Sequence, residues 1–122
     1  MTTEINTILD QLNSTEGVKG SLIITPDGMP VTSQLPENQD EEALAAVSSS
    51  IYLAISKSME KLNTGGVIRY ALCAEFGRTF LVDLGKMILI VLAEKEIKLA
   101  KVNVAIFQAA NSIRKSGRLD VD

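Results

Sequence analysis

Three short apolar segments follow one another in the second half of the chain. The two joints between them each contain a glycine, Gly77 or Gly85, and glycine readily adopts the positive φ that tight hairpin turns require. The pattern predicts three antiparallel strands over residues 67–75, 79–83 and 87–92. Because the last strand is apolar at every position, both of its faces need cover, which predicts helices above and below the sheet.

The rest of the chain predicts three helices and two further strands. Residues 3–13, 40–62 and 94–116 repeat apolar side chains at helical spacing. Residues 18–25 and 29–35 alternate between apolar and polar positions, with a Pro-Asp-Gly turn signal between them. The order helix, two strands, helix, three strands, helix indicates an α+β fold in a single domain over residues 1–122.

The long helix over residues 40–62 has apolar or small side chains on both sides. We expect one stripe to pack on the sheet, and it consists of Leu44, Val47, Ser48, Ile51, Ile55, Ser58 and Leu62. On the other side, small residues permit the close approach of another helix, and Tyr52 and Leu53 add apolar area. A single exposed leucine would need no explanation, but this patch is several residues wide. We predict a partner-binding surface made of Ala45, Ser49, Tyr52, Leu53 and Ser56.

The last helix also carries two apolar stripes. The first contains Leu99, Val102, Ile106, Ala110 and Ile113, and the second contains Ile97, Ala100, Val104 and Phe107. We expect one stripe to meet the sheet and the other to meet the N-terminal helix.

The strand over residues 67–75 is predicted to have one edge without a partner in its own chain, because it begins the meander and follows a helix. It is long and contains no proline, and such an edge invites pairing with another chain. Pairing with the same strand of a second copy across a two-fold axis would cover it. The predicted dimer interface consists of Val67, Arg69, Ala71, Cys73 and Glu75, together with Leu53. Arg69 and Glu75 are expected to share a strand face, and Cys73 is also expected to be a small core residue.

Composition and charge narrow the class of partner. The chain has 122 residues, 46% of them hydrophobic and 4% aromatic, which suits one aliphatic core. Its net charge is −3 without a basic cluster, so we do not expect nucleic-acid binding. Its apolar runs are far shorter than the roughly 20 residues of a membrane span, and no signal peptide is apparent. A single cysteine excludes an internal disulfide, and the expected location is the cytoplasm.

Candidate catalytic chemistry is sparse. The chain has no histidine and one cysteine, so neither a zinc site nor a Ser-His or Cys-His nucleophile pair is predicted. Neither of the glycine-rich phosphate-binding motifs G-x-x-x-x-G-K-[ST] and G-x-G-x-x-G occurs in the sequence. We therefore expect no cofactor and no intrinsic enzyme activity, which favours a binding module.

Several segments resemble one known family. Residues 17–28 follow the pattern G-x-x-G-x-x-I-x-x-x-D-G, the long helix closes at Gly65-Gly66, and the last strand contains Ile-Leu-Ile-Val-Leu. This layout resembles the Roadblock family of dynein-light-chain-like and GTPase-regulating domains from about residue 5 to residue 113. Its compact single-domain form looks most like the prokaryotic MglB-type GTPase regulators.

The resemblance implies a profilin-like fold and a regulatory function. The fold is a five-stranded antiparallel sheet with the first and last helices on one face and the long helix on the other. Two copies join through the first meander strand and the long helix, and the paired long helices form a platform for a small Ras-like GTPase. No arginine lies on the long helix, so stimulation of hydrolysis is expected to work through the switch segments of the GTPase rather than through an inserted arginine.

The leading hypothesis is thus a homodimeric regulatory or scaffold protein that binds a small Ras-like GTPase, with stimulation of GTP hydrolysis as a further activity. One alternative is a small-ligand sensor, whose pocket would need convergent polar groups, with Tyr70 and Thr79 as the chief candidates. The other alternative is a structural assembly subunit that forms the dimer without any dependence on nucleotide.

Overall fold

The computed structural model describes the backbone of residues 2–121 and the side chains of residues 4–116. Over that span the chain forms three helices and five strands. In chain order they are α1 (Thr2–Asn13), β1 (Val18–Ile24), β2 (Pro30–Gln34), α2 (Glu41–Lys61), β3 (Arg69–Cys73), β4 (Arg78–Asp83), β5 (Ile88–Ala93) and α3 (Leu99–Val121). The predicted α+β class and element order are confirmed.

The five strands form one antiparallel sheet in the order β2-β1-β5-β4-β3. Strand β5 occupies the centre, and its side chains alternate between two apolar layers. Leu89 and Val91 pack with α1 and α3, whereas Ile88 and Ile90 pack with α2. The expectation that the last meander strand is covered on both faces is confirmed.

Helix α3 begins at Leu99, five residues later than predicted, and it continues to Val121. The preceding segment is not helical, and hydrogen bonds to its backbone hold it against the sheet. The amide of Glu94 donates to the carbonyl of Gly17 at 2.8 Å, and the guanidinium Nε of Arg78 donates to the carbonyl of Lys95 at 2.7 Å.

The two joints of the meander require glycine for different reasons. Gly85 has a φ of +97°, as the prediction requires, and its amide donates to the Asp83 carboxylate at 2.7 Å. The prediction of a positive φ at Gly77 is wrong. The amide of Ala74 donates to the Gly77 carbonyl at 2.8 Å and closes the turn. A side chain at Gly77 would come within 3.3 Å of the Ala93 carbonyl, so a close approach explains this glycine.

The side of helix α2 that faces the sheet overlaps only in part with the predicted stripe. Leu44 and Ser48 pack inward as expected, whereas Val47 and Leu62 are exposed and Ala45 and Ser49 are buried in their place. The inward stripe is therefore rotated about the helix axis toward Ala45 and Ser49. The close fit has a local cause: Ser49 donates to the Pro26 carbonyl at 2.8 Å and packs against Gly28, where an added side chain would come within 3.2 Å of it.

The second stripe of α3 also differs from its prediction. Helix α1 packs against the side of α3 that carries Ala105 and Ala109, rather than against Val104 and Phe107. Val104 and Phe107 are 56% and 58% exposed.

Among the described residues, no helix combines the length and the apolar character needed to cross a lipid bilayer.

One side-chain hydrogen bond links the middle of α2 to the end of β4. The hydroxyl of Tyr52 donates to the Asp83 carboxylate at 2.5 Å. This hydrogen bond, with a smaller contribution from burial, raises the pKa of Tyr52 above its ordinary value. The folded state therefore favours the protonated phenol.

We predict that Tyr52→Phe lowers the free energy of unfolding by about 1 kcal/mol at neutral pH, because a hydrogen bond to a carboxylate is lost. The pKa of Tyr52 is raised in the folded state. The stability from this contact is thus complete below about pH 10 and declines as the pH rises through the folded pKa. Urea unfolding of both proteins at neutral pH and above pH 10 should show the difference narrowing. A difference that does not change with pH would contradict this assignment.

Candidate partner-binding surfaces

Strand β3 forms one edge of the sheet, and within the described residues it pairs only with β4. The ladder bonds at its two ends join Asp83 N to Ile68 O and Ala74 N to Gly77 O, each at 2.8 Å. Because antiparallel pairs alternate, the even-numbered residues of β3 bond to β4 and the N–H of Ala71 points to the open edge. The predicted unpaired edge is therefore present in the chain.

The predicted interface residues are only partly on this strand. Arg69, Ala71 and Cys73 share one face of β3, and all three are exposed. Val67 precedes the strand and is half-buried, while Glu75 lies in the turn that follows it. The strand is two residues shorter at each end than predicted, so the expectation that Arg69 and Glu75 share a strand face is wrong.

The expectation that Cys73 belongs to the core is also wrong. Its side chain is exposed at the end of the edge strand. The helical layer on this face packs on β5 and β4, through residues such as Val91 and Phe80, and does not bury Cys73. Alternation along the sequence does not show which part of a sheet face the helices cover.

Most of the predicted partner-binding surface of α2 turns inward. Ala45 is fully buried in the cluster that contains Leu22 and Ile90, and Ser49 is buried against the Pro26 turn. Tyr52 bonds to Asp83, as described above, and the Oγ of Ser56 is inaccessible to solvent. The interpretation of Ala45, Ser49, Tyr52 and Ser56 as an outward surface is therefore wrong. Of the five residues, only Leu53 is exposed, at 48%.

The outer α2 face is formed by Leu53 together with residues that were not in the predicted set. It consists of Ala46, Val47, Ser50, Leu53, Ala54 and Lys57, all of which are exposed. The charged residues of α2 indicate which side of the helix faces solvent. At 100° per residue, Glu42, Lys57 and Glu60 fall on the same side as Leu53, and charges of this kind mark the solvated side of a helix.

Ligand chemistry is limited in the part of the chain that the structure describes. No group of three or more His, Cys, Asp or Glu side chains is placed to hold a metal ion there. The two polar candidates for a sensor pocket lie on the same side of the sheet, the side that carries α2. Tyr70, whose pKa is raised by burial, packs against the apolar cluster there, and Thr79 lines an open depression near Leu44 and Phe76.

Comparison with known proteins gives one consistent result. The Roadblock/LC7 domain family model matches residues 4–93. An uncharacterized protein of Methanocaldococcus jannaschii is 34% identical over 110 residues, which cover 90% of this chain and 93% of that protein.

Two solved structures illustrate the shared fold. MglB of Myxococcus xanthus superposes with a TM-score of 0.90 at 18% identity, covering 96% of this chain and 90% of MglB. Profilin IB of Acanthamoeba castellanii superposes with a TM-score of 0.64 at 14% identity, covering 95% of this chain and 98% of the profilin. At these identities the likeness shows the profilin-like fold alone.

The family match spans most of the chain, and the sheet order and helix placement agree with it. The chain belongs to the Roadblock/LC7 domain family.

Proposed function

We propose that this chain is a homodimeric regulator or scaffold that binds a small Ras-like GTPase. The observation that carries the proposal is the open β3 edge, which lies in the same chain as an exposed outer α2 face. Family membership and the fold shared with MglB support the same function, because the MglB-type domains that the sequence resembles regulate such GTPases.

The open edge of β3 supports the proposed dimer. Two copies of β3 placed antiparallel would continue one sheet into the next and satisfy the outward backbone groups of both strands. Ile68 and Leu72, which are exposed on β3 and beside it, would gain cover from the second copy. Because both α2 helices would then lie on the same face of the joined sheet, they would form one platform.

The GTPase would bind on the outer α2 face, not on the residues first predicted. Leu53 and Val47 supply apolar area there, and Ala46, Ser50 and Ala54 allow a partner to approach the helix closely. Leu53 is retained from the predicted set as the residue that a partner would bury.

Any stimulation of hydrolysis would act through the switch segments of the GTPase. No arginine lies on α2, and Arg69 projects from β3. Arg78 and Arg114 are engaged with the backbone carbonyls of Lys95 and Asp83. The small residues of the outer α2 face would allow this chain to contact a switch segment and hold it in its active position, and no inserted arginine is required for that.

A structural assembly subunit is the competing function, and dependence on nucleotide separates the two. A GTPase regulator should bind the GTP-analogue form and the GDP form of the GTPase with different affinities. Equal affinity for both forms would favour the assembly subunit.

We predict that Ala71→Pro abolishes the dimer and leaves the fold intact. Its outward N–H takes no part in the bonds to β4, and proline removes only that donor. Light scattering should report the mass of one chain, 13.2 kDa, for this variant. Ala71→Ser keeps the N–H and should remain dimeric. A folded Ala71→Pro dimer would show that β3 is not the shared edge.

We predict that Leu53→Asp weakens binding of the Ras-like GTPase from the source organism by about tenfold or more, because a buried apolar anchor is replaced by a charge. Calorimetric titration of the GTPase loaded with a GTP analogue measures the change. Leu99→Asp is the matched control, since Leu99 is 46% exposed and lies at the start of α3. Equal affinities for both variants would remove the outer α2 face as the binding site.

The purified protein alone should not hydrolyse GTP, because the proposed activity belongs to its partner. Phosphate release should depend on added GTPase. Turnover that copurifies with the wild-type chain and follows its concentration would overturn the proposal that the chain is a regulator.

A further inference from the structure

A groove runs between α3 and the β3–β4 edge, on the face of the sheet opposite α2. Its volume is about 520 Å³, and its floor includes Ala71, Phe80 and Ile106. Phe107 forms one wall and is 58% exposed. The groove exists because α1 and α3 pack on β5 and β4, while β3 extends beyond them.

The charges along the groove have one sign. Its lining contains Arg69, from β3, and Arg114, from α3, and among the described residues it contains no aspartate or glutamate. Arg114 donates to the Asn111 side chain at 3.4 Å and to the Asp83 carbonyl at 3.3 Å, and neither acceptor is a carboxylate. The described part of the chain shows no ion pair for Arg69. Among residues 4–116, neither cation has a carboxylate partner, and both lie beside apolar surface in a chain whose net charge is −3.

We propose that this groove binds an acidic amphipathic segment of a partner protein. Apolar side chains of the segment would cover the floor and Phe107, and its carboxylates would pair with Arg69 and Arg114. Arginine suits this role because its planar fork can bind a carboxylate through two hydrogen bonds. The groove is open to solvent along one side, which fits a chain segment better than a small molecule that needs enclosure.

The occupant is distinct from the proposed GTPase. The groove and the outer α2 face lie on opposite faces of the same sheet, so both could be filled at once. The groove is complete in a single chain and does not require the dimer.

A peptide selection tests the proposal. A display library of random peptides of about 16 residues, long enough for four helical turns, is selected on the wild-type protein and depleted on Phe107→Ser. The recovered peptides should be acidic and should contain apolar residues. Each is then synthesised with a fluorophore, and its affinity is measured by anisotropy.

Phe107→Ser and Arg69→Glu should each weaken binding of these peptides by about tenfold or more, and raised salt should weaken it further. Val104→Ser is the matched control for the apolar wall, because Val104 is 56% exposed on α3 and does not line the groove. Lys115→Glu makes the same charge change beside Arg114 without lining the groove. Both controls should bind as the wild type does.

Three results would overturn the proposal. The first is a selection that yields no peptide able to distinguish wild type from Phe107→Ser, or one that yields neutral or basic peptides. The second is a lower mass of Phe107→Ser in light scattering, which would make a second copy the occupant. The third is binding of wild-type protein to phosphatidylserine vesicles that is lost in Phe107→Ser, which would make the occupant a lipid surface. Because Phe107 lies outside β3, a failure of the proposed dimer would leave the peptide result unaffected.

Discussion

The fold depends on a strand that is buried on both faces. Ile88, Leu89, Ile90 and Val91 of β5 are all essentially inaccessible to solvent, so apolar layers must cover the sheet above and below them. One helix supplies the lower layer and two supply the upper one, which gives the two apolar clusters of the molecule. Three helices suffice to cover the central strands but do not extend over β3. The groove beside α3 follows from that shortfall, whereas the open edge follows from the place of β3 at the end of the strand order.

The sequence predicted the elements and the layers well, because each rests on a local pattern. The apolar run at β5, the alternation at β1 and the glycine at position 85 depend only on neighbouring residues. The strand ends were less accurate, and Glu75 shows why. Its place in a turn is decided by the bond between Ala74 and Gly77, which alternation does not encode.

The orientation of α2 could not be read from its apolar residues. Helices pack by shape, and here Ala45 and Ser49 face inward because the Pro26 turn and Gly28 leave little room beside Ser49. The bond from Tyr52 joins residues 31 positions apart and fixes the same orientation. Such contacts depend on how distant segments meet. The charges at Glu42, Lys57 and Glu60 were the one local signal that indicated the outward side.

The edge strand connects the two proposed surfaces physically. Ala71 and Arg69 face the groove, whereas Tyr70 and Leu72, the residues between and beyond them, face the side of the sheet that carries α2. The outward N–H of Ala71 lies between these faces, at the position where a second copy would pair. An occupant of the groove therefore contacts the same strand on which a dimer depends.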